Sequence, residues 1–496
     1  MCKEISVYLL MLQHGGHEVY TVKSLVEDYS VTTNFMGPCE IGIENMQNHL
    51  ISINHYPPTE KKYFKEGLKF LNTEAENIIW GNGASELIDL TIRQLISLYD
   101  YKTYTKAESV QFMEYERSCM NSKLQYSSKG DILIIINPNN PTGKFMKSNE
   151  LIEVIKNKLN NKGTIIIDES MIYWLENWKE YSVMFDLNLQ SIEANLIVVQ
   201  SWTKIFSCTG IRFGSIWSNN TELISNIENY QVPWSVNILA YYYLKGCLND
   251  TNYLSITRKQ TPLLRLEIFN KIMELFPFVT IYGEPFLSWL WIDLKSEDLV
   301  DKIHKKLFDN GILIRKGKIG YKQNTFIRLA VRSQDKNIIL FNLLNEVKNE
   351  IFKPKFPFKI DSNIIYGMVN ITDTYLLPHE NYVKERRDNL QNYLENNDYF
   401  ILPSIIACSK TLTIIDGHHR FEIYKSKNIK EIPVLLIDYQ NENILTHLEN
   451  PLNKNEIINR AINKEYLIPK STKHLIKDVD NIIRPLISIS VLIDLQ

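Results

Sequence analysis

At the usual size of about 100 to 200 residues per domain, a chain of 496 residues holds about three compact units, which excludes a single small binding module. Apolar residues make up 44% and charged residues 23%, so wholesale disorder is excluded as well. With 55 Lys and Arg against 57 Asp and Glu the formal net charge is −2; no global field favours nucleic acid or an acidic membrane, and any anionic ligand needs a local site.

In chain order, the apolar run Ile5 to Leu12 is too short to span a bilayer and is followed by His14-Gly15-Gly16-His17 rather than a small-residue cleavage site. Neither a signal peptide nor a transmembrane helix is expected. The cysteines are scattered without a C-x-x-C pair, which argues against a zinc ribbon or a disulfide scaffold and fits a cytoplasmic location. Further on, Ile132 to Ile136, Thr164 to Ile167 and Leu196 to Val199 are continuous apolar runs bounded by polar turns, the pattern of parallel strands buried on both faces. Asn149 to Leu159 repeats apolar residues at helical spacing, and the resulting alternation predicts an α/β, doubly wound sheet.

Three polar clusters follow those strands directly: Asn137-Pro-Asn-Asn-Pro-Thr-Gly143, Asp168-Glu169 and Ser201-Trp-Thr-Lys204. Sheets of this kind assemble ligand sites at the carboxyl ends of their strands. Upstream, the turn Gly83-Ala84-Ser85 opens an apolar helical stretch and offers backbone N–H groups to a phosphate. Pyridoxal 5′-phosphate needs a phosphate cradle, a lysine for a Schiff base and an acid for its pyridinium nitrogen. The turn, Lys204 and Asp168 meet those needs.

The segment Phe352 to Lys359 carries two prolines and three lysines, and marks a boundary. The expected division is 1–352, a linker at 353–359, and an α+β domain at 360–496. Within the last part, a strand over Leu412 to Asp416 ends in Asp416-Gly417-His418-His419-Arg420, followed by the helical stretch Phe421 to Lys425. A glycine turn, two imidazoles and a guanidinium at a helix start suit a polyphosphate. Leu377-Pro-His-Glu380 precedes the amphipathic segment Val383 to Leu394 and supplies a carboxylate able to accept a hydroxyl proton; Lys470-Ser-Thr-Lys-His474 comes near the end.

Residues 1–352 resemble the fold-type I pyridoxal phosphate enzymes of the histidinol-phosphate aminotransferase and threonine-phosphate decarboxylase group. The resemblance implies a large doubly wound domain with a small α+β domain. It makes Lys204 the residue bound to the cofactor, Asp168 the partner of the pyridinium nitrogen, Asn140 the partner of the 3′ oxygen and Phe112 the stacking aromatic. Ser85, Thr203 and Arg212 hold the phosphate, and Tyr56 reaches the phosphate of a neighbouring subunit, which implies a homodimer. Ile327-Arg328-Leu-Ala-Val-Arg332 is similar to the family's C-terminal strand, with Arg328 on the substrate carboxylate and Arg315 and Arg332 on a substrate phosphate. His14 and Gly15, with Asn34 before Gly37-Pro38, resemble the N-terminal arm of threonine-phosphate decarboxylase and favour decarboxylation over transamination. Thr32 stands where that group usually has asparagine, so the substrate side chain departs from threonine phosphate or leaves it open.

Pro-His-Glu380, Asp416 to Arg420 and Thr472-Lys-His474, in that order, resemble the ParB/sulfiredoxin-fold free serine kinases. The resemblance implies Glu380 as base, Asp416, Gly417, His418, His419 and Arg420 at the phosphates of ATP or ADP with magnesium at Asp416, and Thr472 and His474 at the serine. No nucleic-acid partner is expected, since residues 475–496 leave no room for a helix-turn-helix and no basic stripe appears. Together the halves imply a C-terminal domain that phosphorylates free L-serine and an N-terminal domain that decarboxylates O-phospho-L-serine to phosphoethanolamine. The alternatives are an N-terminal aminotransferase, threonine and its phosphate as the substrate pair, and a C-terminal module that binds a ligand without catalysis.

Overall fold

The computed structural model describes residues 14–395 and 400–495; the run Ile5 to Leu12 lies outside them. Among the described residues no helix is long and apolar enough to cross a membrane.

The predicted strands form the middle of a seven-stranded sheet. Its elements are β1 (Ile78–Gly81), α1 (Ala84–Tyr99), β2 (Thr103–Lys106), α2 (Glu114–Asn121), β3 (Gln125–Tyr126), β4 (Gly130–Ile136), α3 (Ser148–Lys158), β5 (Leu159–Asp168), β6 (Asn195–Ser201), α4 (Trp202–Ile205) and β7 (Gly214–Ser218). The strand order is β1-β7-β6-β5-β4-β2-β3, parallel except at β7, which runs antiparallel to both neighbours. The continuous apolar runs are explained by burial on both faces. Leu133, Ile135, Ile165, Ile167, Leu196 and Val198 join one core, while Ile132, Ile134, Ile136, Ile166, Ile197 and Val199 join the core on the other side.

After the long helix α5 (Thr251–Leu275) comes the small domain: β8 (Thr280–Tyr282), β9 (Trp289–Asp293), α6 (Glu297–Asp309), β10 (Arg315–Lys316), β11 (Phe326–Ala330) and α7 (Gln334–Glu350). Its sheet is antiparallel, in the order β10-β11-β9-β8. The C-terminal unit holds β12 (Ile365–Thr372), β13 (Leu377–Pro378), α8 (Lys384–Glu395), β14 (Ile405–Cys408), β15 (Thr413–Asp416), α9 (His418–Ser426) and β16 (Glu431–Ile437). The five strands lie in the order β12-β16-β14-β15-β13.

This unit shares a core with the small domain. Leu290, Ile292, Leu299 and Leu344 belong to one apolar cluster with Val369, Ile371, Ile405, Ile414 and Val434. Tyr366 Oη donates to Leu275 O at 2.7 Å and Thr372 N to Lys295 O at 2.9 Å across the same seam. Residues 353–359 have no helix or strand, yet Phe356 and Phe358 pack on the far face of the C-terminal sheet and the Arg484 guanidinium lies 4.5 Å over the Phe358 ring. Beyond the irregularity between Ile365 and Gly367, alternation along β12 sets the two faces: Met368 packs on the far side, Val369 and Ile371 on the side of the small domain.

Candidate active site

The carboxyl ends of β4, β5 and β6 converge with the start of α1 on a pocket of about 90 Å3 lined by Ala84, Ser85, Phe112, Asn140, Asp168, Thr203, Lys204 and Arg212. An adjoining compartment of about 200 Å3 shares Ser85, Phe112, Asn140, Lys204 and Arg212 and is closed by His14, Gly15, Thr32, Arg315, Tyr321 and Arg328.

Lys204 sits on α4, directly after β6. Loss of solvent, reinforced by Arg212 and Arg328, pulls its ammonium down to about 8, so part of it is free amine near neutrality. Asp168 ends β5; its Oδ2 accepts from Tyr115 Oη at 2.8 Å and its Oδ1 from Ser170 N at 2.8 Å. Burial raises this carboxyl, and the bonds from Ser170 and Tyr115 and the charge of Lys204 oppose the rise.

The start of α1 is shaped for an anion. Gly83 has φ +87°, and a Cβ there would lie 2.4 Å from Arg212 Nη2; a Cβ on Gly214 would lie 2.5 Å from Ala84 N. Glycine at both positions lets the guanidinium and β7 close on the helix N-terminus, while Ser201 Oγ and Thr203 Oγ1 stand 2.9 Å apart at the same end of the pocket. A cationic cradle, a desolvated amine and a buried carboxylate fit pyridoxal 5′-phosphate. Lys204, Asp168, Ser85, Thr203 and Arg212 are the residues that would hold it.

In the adjoining compartment Arg315 and Arg328 face one another across β10 and β11, both nearly buried at 6% and 5% exposure. Like charges placed opposite each other destabilise a sheet unless an anion joins them. Arg328 donates from Nη1 to Asn140 Oδ1 and from Nη2 to Ser30 O, each at 2.5 Å, and its buried Nε has no hydrogen-bond partner among the described residues. Asn140 thus accepts from Arg328, which leaves its amide donors for a cofactor oxygen. Arg315 donates to Ile319 O at 3.0 Å, with its guanidinium 5.7 Å from the Tyr321 ring centre. His14 Nε2 lies 2.6 Å from Glu114 Oε1, and its ring centre is 5.5 Å from that of Phe112.

Two sequence assignments are placed elsewhere. Arg332, expected at a substrate phosphate, lines neither compartment. Its Nε meets Glu27 Oε1 at 3.0 Å, and its other nitrogens bond the carbonyls of Asp28, Val31 and Thr33. The chain leaves β11 at Ala330, so strand alternation no longer carries this side chain toward the pocket. Asn34, expected at the substrate, is buried and donates to Ile205 O at 3.0 Å and Thr257 Oγ1 at 2.6 Å, while its backbone N–H bonds Lys204 O. It braces the turn that carries the lysine. Tyr56 is 75% exposed and stacks on Trp234, outside both compartments of its own chain. Conversely, Tyr115, Tyr321 and Glu114 belong to the site without forming any sequence motif.

In the C-terminal unit, β15 ends at Asp416, and Gly417, with φ +110°, turns the chain into α9. A cavity of about 540 Å3 brings together Glu380, Asp416, Gly417, His418, His419, Arg420, Thr472 and His474, with Arg386, Lys470 and Lys473 at its wall. Several polar atoms of this cluster are already engaged. Arg420 donates to Pro403 O at 2.6 Å, to Ser404 O at 2.8 Å and to the Asp416 carboxylate. The Thr472 hydroxyl donates to Glu380, and His474 Nε2 is 2.8 Å from Tyr439 Oη. His419 Nε2 accepts from Val383 N at 3.0 Å. Burial pushes His418 well below the usual imidazole range and His474 to about 3, so both are neutral. Among the described residues no group of three or more His, Cys, Asp or Glu could hold a metal ion. Asp416 offers one carboxylate, already paired with Arg420, so the described residues supply no cage for magnesium.

Comparison with known proteins follows the same division. A "Putative threonine-phosphate decarboxylase" of Caldanaerobacter subterraneus subsp. tengcongensis is 28% identical over 364 residues, covering 69% of this chain and 95% of that protein. A histidinol-phosphate aminotransferase of Caldicellulosiruptor saccharolyticus is 25% identical, covering 63% and 89%. In fold, the crystal structure of the histidinol-phosphate aminotransferase from Clostridium acetobutylicum matches with a TM-score of 0.56 at 24% identity, over 66% of this chain and 100% of that one. The family model of class I and II aminotransferases matches residues 43–340, which leaves the C-terminal unit outside it. That match spans more than half of the protein, and the chain belongs to the class I and II aminotransferase family.

Proposed function

We propose that the N-terminal part decarboxylates a phosphorylated amino acid, O-phospho-L-serine, and that the C-terminal unit makes that substrate by phosphorylating L-serine with ATP or ADP. The observation that carries the first half is the pair Arg315 and Arg328, two nearly buried guanidiniums opposite one another beside Lys204. A substrate with a carboxylate at one end and a phosphate at the other suits two guanidinium forks placed side by side. Bound pyridoxal 5′-phosphate supplies an electron sink for the bond broken at the substrate's α carbon. Asp168 stabilises a positive ring nitrogen, Arg328 orients the carboxylate that leaves as carbon dioxide, Arg315 holds the phosphate, and Lys204 returns a proton to the α carbon. Decarboxylation rather than transamination is supported by His14 and Gly15, which border the substrate compartment, and by the relative named for threonine-phosphate decarboxylation.

The kinase reading is supported by the cationic wall of the C-terminal cavity, by Gly417 at the start of α9 and by Glu380, which lines the same cavity. Glu380 takes the proton of the serine hydroxyl as that oxygen attacks the terminal phosphorus. A homodimer is supported by the exposed stacked pair Tyr56 and Trp234. The experiment for the first half supplies the protein, loaded with pyridoxal phosphate, with O-phospho-L-serine, O-phospho-L-threonine or histidinol phosphate. Carbon dioxide and phosphoethanolamine without any 2-oxoacid are expected. Turnover that requires a 2-oxoacid and releases no carbon dioxide contradicts the reading.

A further inference from the structure

The Thr472 hydroxyl stands between two acceptors. It donates to Glu380 Oε1 and lies 3.0 Å from His379 Nε2. On the other side of the ring, His379 Nδ1 is 2.7 Å from Ile414 O, a carbonyl that only accepts. The ring hydrogen of neutral His379 therefore sits on Nδ1, and Nε2 is a bare acceptor. Ionised Glu380 is also acceptor only, so one hydroxyl hydrogen has to serve two partners. The chain is one hydrogen short, and it becomes complete when Glu380 gains a proton. The carboxyl O–H then donates to Thr472 Oγ1, and the threonine O–H donates to His379 Nε2.

We propose that Glu380, Thr472 and His379 form a proton relay for phosphoryl transfer, with Glu380 as the catalytic base and Thr472 and His379 as positioning residues behind it. This rests on the kinase reading above. In the step, the O–H bond of the serine hydroxyl breaks and its proton goes to Glu380. The oxygen forms a bond to the terminal phosphorus of a nucleoside polyphosphate, and the bond from that phosphorus to the bridging oxygen breaks, its electron pair leaving with the nucleotide. The proton on Glu380 moves to Thr472 Oγ1 as the threonine proton passes to His379 Nε2; once the products leave, it returns through the same two hydrogen bonds to Glu380, which lines the cavity, and from there to solvent.

The backbone presets this geometry. Glu380 bridges to Leu467, and Leu467 N bonds His379 O at 2.8 Å. Thr472 N donates to Glu380 Oε1 at 2.7 Å and Lys470 N to Oε2 at 2.9 Å, which fixes the carboxylate against the loop. His379 is fully buried and lines no part of the cavity, so it acts only through Thr472. A hydrogen bond that is missing before proton transfer and present after it favours the transition state over the ground state.

The test measures kcat and KM for L-serine and nucleotide in Thr472→Val, which keeps the shape and removes the hydroxyl. His379→Asn keeps an N–H for Ile414 O and removes the acceptor, and Thr472→Ser restores the hydroxyl. Decarboxylation of supplied O-phospho-L-serine by the same proteins reports on folding. The relay predicts that Thr472→Val and His379→Asn lower kcat by about 100-fold or more with KM unchanged, that Thr472→Ser recovers most of the loss, and that decarboxylation is retained. If Thr472→Val fails to fold, His379→Asn carries the test. Unchanged kcat in a folded variant, or a Thr472→Ser protein as impaired as Thr472→Val, overturns the relay and leaves the kinase standing. Wild-type protein that forms no phosphoserine with ATP or ADP removes both.

Discussion

The two sites of this molecule spend their polar groups differently. In the family domain, Lys204, Asp168, Arg315 and Arg328 are held by a rigid sheet and helix, and functional atoms remain for a ligand: a desolvated amine, and an Nε of Arg328 that has no hydrogen-bond partner among the described residues. In the C-terminal unit, Arg420, Thr472 and His474 converge on one cavity but bond carbonyls, a carboxylate and a tyrosine hydroxyl. Convergence of side chains therefore marks a site, while the hydrogen bonds each one already makes decide whether it binds a ligand or supports a neighbour that does.

Separating the two chemistries gives the largest expected effects. Lys204→Ala should lower decarboxylation by on the order of 1,000-fold or more and leave serine phosphorylation intact, whereas Glu380→Gln should do the reverse by about 100-fold or more; rates of carbon dioxide and phosphoserine formation on each variant check both. Arg328→Lys replaces a fork by a point charge at a buried position, and a loss of about 1.5–3 kcal/mol, about 10- to 150-fold in kcat/KM for phosphoserine, is expected. A pKa of about 8 for Lys204 means that its reactive amine appears as pH rises through that value. Capture of pyridoxal phosphate by the apoprotein, followed by absorbance, should therefore quicken by about tenfold between pH 7 and pH 9. The smallest effect on chemistry comes from the seam. Ile371→Ala, in the core shared with the small domain, should cost about 2–5 kcal/mol of stability in denaturant titrations without altering either site, and the two activities should be lost in one transition.

Much of the family domain was legible. The apolar runs at 132–136, 164–167 and 196–199 lie inside β4, β5 and β6, and the helix expected at Asn149 to Leu159 is Ser148–Lys158. Such runs are informative because both faces of a central parallel strand are buried. That Lys204, Asp168 and Asn140 line one pocket was legible because they follow strands directly. Arg332 and Asn34 were not, because their partners are mainly backbone carbonyls, which leave no trace in the sequence. Tyr115 was missed for a related reason: its bond to Asp168 joins α2 to a strand 53 residues away. The segment 353–359 has the composition of a linker, yet Phe356 and Phe358 anchor it, and the apolar residues that fuse β12 to the small domain read like any half-buried strand.

The most direct measurement gives the intact protein carboxyl-labelled L-serine with pyridoxal phosphate and magnesium, with and without ATP or ADP, and follows labelled carbon dioxide. The account predicts release of carbon dioxide together with phosphoethanolamine only when nucleotide is present. Phosphoserine that accumulates without carbon dioxide, or carbon dioxide released from serine without nucleotide, would contradict it.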